Sequence, residues 1–127
     1  MLRFNNEISV LDETCPARQA LNLVANKWTV LIIYALANGP VRFNQLQRTI
    51  GGITQKMLTQ SLRQLEQDGV LTRTVYPTVP PQVEYELTDL GKTLITPLNA
   101  LCNWAETYYA DIEKNRDEFR GTKRFEE

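Results

Sequence analysis

The chain has 127 residues, the size of one ordinary domain, and 43% of them are hydrophobic, enough for a globular protein with a buried core. It contains no histidine and only two cysteines, which excludes His-dependent catalysis, His-ligated metal sites and a four-thiolate zinc site. A Gly-rich phosphate loop and paired carboxylates at a strand end are also missing. We therefore expect neither an enzyme nor a cofactor.

The formal net charge of −1 conceals an uneven distribution of charge along the chain. Residues 15–65 contain six basic side chains and no Asp or Glu, whereas the other 76 residues contain eight basic and fifteen acidic side chains. A surface that faces a polyanion is one explanation for the acid-free segment. Burial is another, because residues 30–37 form an unbroken apolar run, but burial does not explain the polar, basic and acid-free stretch 42–63.

The sequence contains no candidate membrane span or signal peptide. The longest apolar run has eight residues, and the N-terminus lacks an apolar stretch, so we expect a soluble cytoplasmic protein without a membrane partner. Cys15 and Cys102 lie 87 positions apart, a spacing unlike that of a secreted disulfide framework, and are most simply interpreted as free thiols.

Helical signals dominate the first half of the chain. Proline suits the first position of a helix, and the Asn-Gly-Pro sequence at residues 38–40 is a strong helix stop. Gly51-Gly52 ends a further short helix. The elements expected in order are a helix from Pro16 to Asn26, an apolar helix over about 28–36, an extended piece at 41–43 and a short helix from Asn44 to Ile50.

The next helix, residues 54–67, separates an apolar face from a basic, amide-rich face. Leu58, Leu62 and Leu65 fall on one side at about 100° per residue, and Thr54 can cap the helix. Strands are expected at 70–76 and 83–87, joined by a stiff loop with three prolines at 77–82. Helix, corner, helix and hairpin in this order predict a winged helix-turn-helix, a mainly α fold with a small β-hairpin wing.

A long C-terminal helix is expected after Thr88, with a kink or division near Pro97. The domain core could cover its apolar seam, but Trp104 and Tyr109 lie outside the seam and enlarge the apolar surface, which favours a homodimer. The seam consists of two series with a period of seven residues: Leu94, Leu101 and Tyr108, and Leu98, Ala105 and Ile112.

We thus expect one domain over residues 1–113, with a DNA-binding core at about 26–88 and dimerisation helices at about 16–25 and 89–113. The charged tail, residues 114–127, is expected to be disordered.

The basic face predicts double-stranded DNA as the partner. Amide side chains can pair with adenine edges, Lys and Arg with guanine or phosphate, and Thr with a thymine methyl group or phosphate. A solvated helix face is the alternative for any one of these residues, and a protein-interaction winged helix is the alternative for the whole domain. Such a module, however, has no need of an acid-free segment. The expected DNA contacts are Thr54, Gln55, Lys56, Thr59, Gln60 and Arg63 on the recognition helix, Arg42 and Arg48 on the preceding elements, and Thr78 at the wing tip.

Several ordered motifs over about residues 14–105 resemble the HxlR family of bacterial winged-helix regulators. The resemblance implies a MarR-type homodimer that pairs through its first and last helices and binds operator DNA, with residues 54–63 as the recognition helix and 77–82 as the wing. The motifs are Cys15-Pro16, Lys27-Trp28, Gly39-Pro40-x-Arg42-Phe43-x-x-Leu46, Gly52-Ile53-Thr54-Gln55-Lys56-Met57-Leu58-Thr59, Leu62-Arg63-x-Leu65-Glu66-x-Asp68-Gly69, Val75-Tyr76-Pro77-x-Val79-Pro80-Pro81-x-Val83-Glu84-Tyr85 and Leu87-Thr88-x-x-Gly91.

The resemblance also draws attention to Cys15, because some members sense oxidants or electrophiles through a cysteine at the matching position. A helix N-terminus favours the reactive thiolate, and Arg18 lies one turn along. The alternative is a partly buried thiol packed at the dimer interface. Cys102 beside the seam is either a small apolar filler or a resolving thiol. No small-molecule effector is identified.

Overall fold

The computed structural model describes residues 11–126 and divides into two units at Leu94/Ile95. The second unit is one helix, α6 (Ile95–Glu126). The first confirms the predicted mainly α fold with a hairpin wing. Its elements are α1 (Pro16–Val24), α2 (Lys27–Leu36), β1 (Val41–Arg42), α3 (Phe43–Thr49), α4 (Gln55–Gln67), β2 (Leu71–Tyr76), β3 (Gln82–Leu87) and α5 (Asp89–Lys92).

Local side-chain and backbone chemistry sets the ends of α2. The Asn26 side chain accepts a hydrogen bond from the Trp28 backbone N–H at 2.8 Å, which caps the helix and separates it from α1. At the other end, Gly39 has φ +140°, a backbone conformation that a residue with a Cβ rarely adopts. The predicted stop at residues 38–40 is therefore confirmed, whereas Asn26, expected to end the first helix, instead caps the second, and α1 ends at Val24.

The core of the first unit forms around α2, which packs against α1, α3, α4 and β3. Three leucines of α4 are buried in it, as their helical spacing predicts, so this helix is fixed through one face and presents the other to solvent. The largest fully buried side chains are Ile32, Ile33, Leu36, Leu46, Leu58, Leu62, Leu65 and Leu71.

The sheet is antiparallel, with strand order β1-β3-β2. Val41 pairs with Tyr85, and Leu71 pairs with Leu87, so the piece expected to be merely extended at 41–43 supplies a third strand. Side chains alternate between the two faces of a strand. Buried Tyr85 and Leu87 mark the face toward the core, and the hairpin carboxylates Glu84 and Glu86 lie on the opposite face.

The long helix expected after the wing divides a few residues before Pro97, where the kink or division was predicted. Thr88 does cap a helix, but α5 has only four residues, and α6 begins at Ile95. The division therefore falls at residues 93–94, and Leu94 lies outside α6. Pro97 occupies the first turn of α6, where a missing N–H costs nothing because N–H groups there have no partner within the helix.

The helix α6 has 32 residues, about 48 Å at 1.5 Å per residue. The helix continues through residues 114–126. Disorder was expected for this segment, but its backbone is helical. Most of its residues are good helix formers, and opposite charges three or four positions apart stabilise a helix. Asp117 and Arg120 form such an ion pair.

Candidate nucleic-acid interface

The helices α3 and α4 are joined by a short turn that leaves the N-terminus of α4 accessible. Gly52 in this turn has φ +83°, and the neighbouring Ile53 is buried. Thr54 Oγ1 accepts a hydrogen bond from the Met57 N–H at 3.1 Å, so its hydroxyl proton stays available to a ligand. Within residues 11–126, the N–H groups of Gln55 and Lys56 have no acceptor. Such N–H groups favour an anion such as phosphate.

The face of α4 opposite the buried leucines is fully available for binding. Its polar side chains are exposed, and within the described part of the chain none of them makes a side-chain hydrogen bond or ion pair. They can therefore bind a ligand without first breaking an internal contact. Glu66 near the C-terminal end is the one carboxylate on the helix. The five residues predicted for this face are Gln55, Lys56, Thr59, Gln60 and Arg63.

Arg42 and Arg48 line one cleft of about 690 Å³ between the start of α3 and the base of the wing. Both side chains are exposed, and Arg48 donates a hydrogen bond to Gln45 Oε1 at 2.9 Å, which holds it against the surface of α3. The structure thus brings together two arginines that are separate in sequence. They could contact one sugar-phosphate strand from the side of the recognition helix.

Glu84 also lines this cleft, opposite Arg42 in the sheet register. Its carboxylate accepts a hydrogen bond from the Tyr76 hydroxyl at 3.0 Å. This hydrogen bond and the negative charge of Glu84 raise the pKa of Tyr76 above its ordinary value of 10.0, while the positive charge of Arg42 opposes the rise. The carboxylate therefore has partners within the protein.

The wing loop holds Thr78 and a fully exposed Val79. Thr78 Oγ1 donates a hydrogen bond to the Pro80 carbonyl oxygen at 2.8 Å. Its hydroxyl can still accept a hydrogen bond, but donation to a phosphate would require this internal bond to break. Thr78 would therefore have to give up an internal hydrogen bond before it could donate one to DNA.

Arg73 is a basic residue that the sequence analysis missed. It is exposed on β2, and its partner across the ladder is Tyr85. Strand alternation places it on the face of the sheet that packs on the core, the same face as Leu71, but beyond the buried part and away from Glu84 and Glu86. The sequence shows an Arg two residues after Leu71 in a predicted strand. Only the register of the hairpin shows which face of the sheet this Arg occupies.

Cys15 lies at the N-cap position of α1 and is buried, with 5% of its surface exposed. Arg18 donates a hydrogen bond to the Leu11 carbonyl oxygen at 3.0 Å. Cys102 on α6 is partly exposed, and both cysteines are free. The thiol is thus buried within a single chain, and access to an oxidant would require the covering residues to open.

Among the residues that the structure describes, no group of three or more His, Cys, Asp or Glu side chains is arranged to hold a metal ion. Within the same residues, every helix is too short or too polar to cross a membrane.

Comparison with known proteins identifies the family. Residues 23–113 match the HxlR-like helix-turn-helix family. The chain belongs to this family. The uncharacterized HTH-type transcriptional regulator YtfH of Escherichia coli K12 is 47% identical over 112 residues, which are 88% of this chain and 89% of that protein.

Solved structures agree with this assignment. That of YtfH from Salmonella typhimurium is 45% identical, with a TM-score of 0.78, and the match covers 87% of this chain and 99% of that one. The reduced form of the redox regulator HypR is 39% identical, with a TM-score of 0.72, over 79% of this chain and 99% of that one. The HxlR-like chain described here is therefore a helix-turn-helix transcriptional regulator.

Proposed function

We propose that this regulator binds double-stranded DNA sequence-specifically, as a homodimer on a palindromic operator. The observation that carries the proposal is the exposed face of α4, whose basic and amide side chains have no partners within the described residues. A winged helix that binds a protein instead of DNA is the second candidate. It would not explain why residues 15–65 contain six basic side chains and no Asp or Glu.

In the proposed complex, α4 enters the major groove. Gln55 and Gln60 read adenine edges, while Lys56 and Arg63 bond to guanine or phosphate. Thr54 and Thr59 contact phosphate or a thymine methyl group. The N-terminus of α4 adds two backbone N–H groups that point toward a phosphate.

The elements beside α4 hold the DNA backbone in this proposal. Arg42 and Arg48 bind phosphates from their shared cleft, and the wing at 77–82 lies near the minor groove with Thr78 at its tip. We add Arg73 to the backbone contacts, because it is exposed on the sheet face that carries no hairpin carboxylate.

The homodimer is proposed from the apolar surface of α6. Leu101 and Trp104 are 54% and 53% exposed, and Tyr108 and Tyr109 are also exposed. Trp104 and Tyr108 lie with their ring centroids 5.8 Å apart, so they form one continuous aromatic surface. Soluble monomers rarely expose large contiguous apolar patches, and a second copy of the helix would cover this one.

Dimerisation also sets the geometry of the DNA site. One protomer would neutralise about three phosphates and bind weakly, whereas two protomers share a binding site and neutralise about six. Two recognition helices related by a two-fold axis read half-sites about one helical turn, or roughly 34 Å, apart. The operator should therefore be an inverted repeat.

Genome-wide mapping of the bound sites tests this proposal. We expect enriched fragments that share a palindrome with half-site centres about 10–11 base pairs apart or slightly more. The Lys56→Ala/Arg63→Ala variant, expressed at the same level, is the control and should lose the enrichment. The absence of any shared DNA motif in the fragments bound by the native protein would favour the protein-interaction module instead.

We further propose that Cys15 makes this DNA binding responsive to oxidants. The support is its position at the N-terminus of α1 and the similarity to HypR, a redox regulator. Because the thiol is buried, reaction requires local opening of the residues that cover it, and the modified side chain would no longer fit its site. Oxidation would thereby change the packing at the start of α1.

Diamide treatment should lower operator affinity at least tenfold in the native protein and leave the Cys15→Ser variant unaffected. Diamide removes two electrons and two protons from a pair of thiols, so the expected product is a disulfide between Cys15 of one protomer and Cys15 of its partner, which changes the packing at the start of α1. Fluorescence anisotropy with a labelled operator measures the effect. The Cys102→Ser variant is the matched control and should respond like the native protein. Equal loss of affinity in native protein and Cys15→Ser would contradict the assignment.

A further inference from the structure

The heptad seam of α6 does not stop where the family match ends at residue 113. Alternating steps of three and four residues continue from Ile112 to Asn115, Phe119 and Thr122, all within α6. Phe119 is 66% exposed, and it lines one side of the helix together with Ile112 and Asn115. The terminal segment thus continues the seam, with Phe119 as its exposed apolar member.

We propose that α6 pairs with α6 of a second copy as a parallel, in-register coiled coil over residues 101–122. In heptad terms, Ala105, Ile112 and Phe119 occupy a positions, and Leu101, Tyr108, Asn115 and Thr122 occupy d positions. This inference rests on the homodimer proposed above and adds the direction, register and C-terminal extent of its pairing.

The charges that flank the seam select the parallel direction. Asp111 precedes an a position and Arg116 follows a d position, which are the g and e positions of the heptad. In a parallel coiled coil a g residue lies beside the partner's e residue five positions later, so Asp111 meets the partner's Arg116. An antiparallel pair would instead place g beside g and e beside e, which brings Asp111 toward an acidic g residue such as Glu118.

The two aromatic residues outside the seam, Trp104 and Tyr109, also occupy a g position and the following e position. Trp104 is a g residue and Tyr109 is the e residue five positions later, so the parallel arrangement places Trp104 beside the partner's Tyr109. Both side chains are about half exposed in a single chain. The seam, the charge pair and the aromatic pair therefore all indicate one arrangement.

Asn115 is a polar residue in the middle of the C-terminal part of this seam. Its side-chain N–H donates to the Asp111 carbonyl oxygen at 2.9 Å, and its amide oxygen is left for a partner. A polar residue in a coiled-coil core favours the register in which it meets its own counterpart. Asn115 would thus fix the alignment of the two helices.

Cysteine cross-linking in the full-length chain tests the proposal. In a Cys15→Ser/Cys102→Ser background, Ile112→Cys, Asn115→Cys and Phe119→Cys are made one at a time and oxidised with copper phenanthroline. A parallel pair should give covalent dimers at all three positions. Asp117→Cys on the opposite side of the helix is the matched control and should give none.

An antiparallel pair cannot bring both Ile112 and Phe119 next to their own counterparts, because the two positions lie about 10.5 Å apart along the helix, so cross-linking at fewer than three positions would overturn the proposal. Size-exclusion chromatography of the same samples separates this failure from that of the homodimer. A dimer without the three cross-links contradicts only the parallel coiled coil, whereas a monomer contradicts the proposed dimer as well.

A charge exchange gives a second test. Asp111→Arg or Arg116→Asp alone should raise the dimer dissociation constant at least threefold, because each places like charges side by side. The double variant Asp111→Arg/Arg116→Asp should return it to within about twofold of the native value. Additive weakening in the double variant would contradict the pairing.

Discussion

Replacement of both Lys56 and Arg63 by alanine is expected to weaken operator binding at least 100-fold and to leave the fold intact. Each good contact to a base edge is worth about 1–3 kcal/mol, and a dimer loses every contact twice. Both side chains are exposed and make no hydrogen bond or ion pair within residues 11–126, so their removal should change stability by less than about 0.5 kcal/mol. Anisotropy titrations and thermal unfolding measure the two effects.

The control must remove the same charge from a different surface. Lys92→Ala/Lys114→Ala does so, because both residues are exposed and lie outside the helix-turn-helix and the wing. We expect this variant to bind the operator within about threefold of the native protein. Equal affinities of the two double variants would contradict the placement of α4 in the groove.

Gly91→Ala is expected to destabilise the protein by about 3 kcal/mol or more. A Cβ at this position would lie 2.1 Å from the Val70 carbonyl oxygen and 3.1 Å from its carbonyl carbon. Both are backbone atoms, so relief requires α5 and the start of β2 to move apart, and overpacking of this kind typically costs about 1–3 kcal/mol or more. The separation would also strain the hydrogen bond from the Thr88 hydroxyl to the Gly69 carbonyl oxygen, 2.6 Å long.

Gly121→Ala is the matched control for chemical or thermal unfolding. Gly121 lies in α6, and a Cβ there would meet nothing within 4 Å. Alanine is the better helix former, so this variant should be unchanged or more stable by up to about 1 kcal/mol. If Gly91→Ala unfolded with the same midpoint as the native chain, the close approach of α5 to Val70 would be wrong.

The parts of the fold that local chemistry controls were predictable from the sequence. The glycines at 39 and 52, the Thr54 cap and the leucine spacing of α4 define three helices and the buried side of the recognition helix. Each depends on residues within one or two turns of each other, so a single sequence contains the information.

Other features depend on contacts that sequence spacing does not reveal. Strand β1 has only two residues and exists because Val41 pairs with Tyr85, 44 positions later. Likewise, only the register of the hairpin shows that Arg73 lies on the face away from Glu84 and Glu86. In the C-terminal segment, composition indicated disorder, whereas helix propensity and the ion pair between Asp117 and Arg120 favour a continued helix.

The recognition-site residues themselves stay predictions. The structure brings Arg42 and Arg48 together in one cleft and leaves the α4 face without internal partners. In contrast, it uses the Thr78 hydroxyl within the wing. Which base each side chain reads depends on the DNA sequence, and that information lies outside the protein chain.

The most direct test of the account is the salt dependence of binding to a DNA fragment from the mapped sites. Neutralisation of about six phosphates by a dimer releases counterions, so log K should fall linearly with log salt concentration with a slope of about −5 to −6. A scrambled fragment should bind far more weakly at every salt concentration. A slope near zero, or equal affinity for the two fragments, would contradict a regulator that holds its operator through the basic helix-turn-helix.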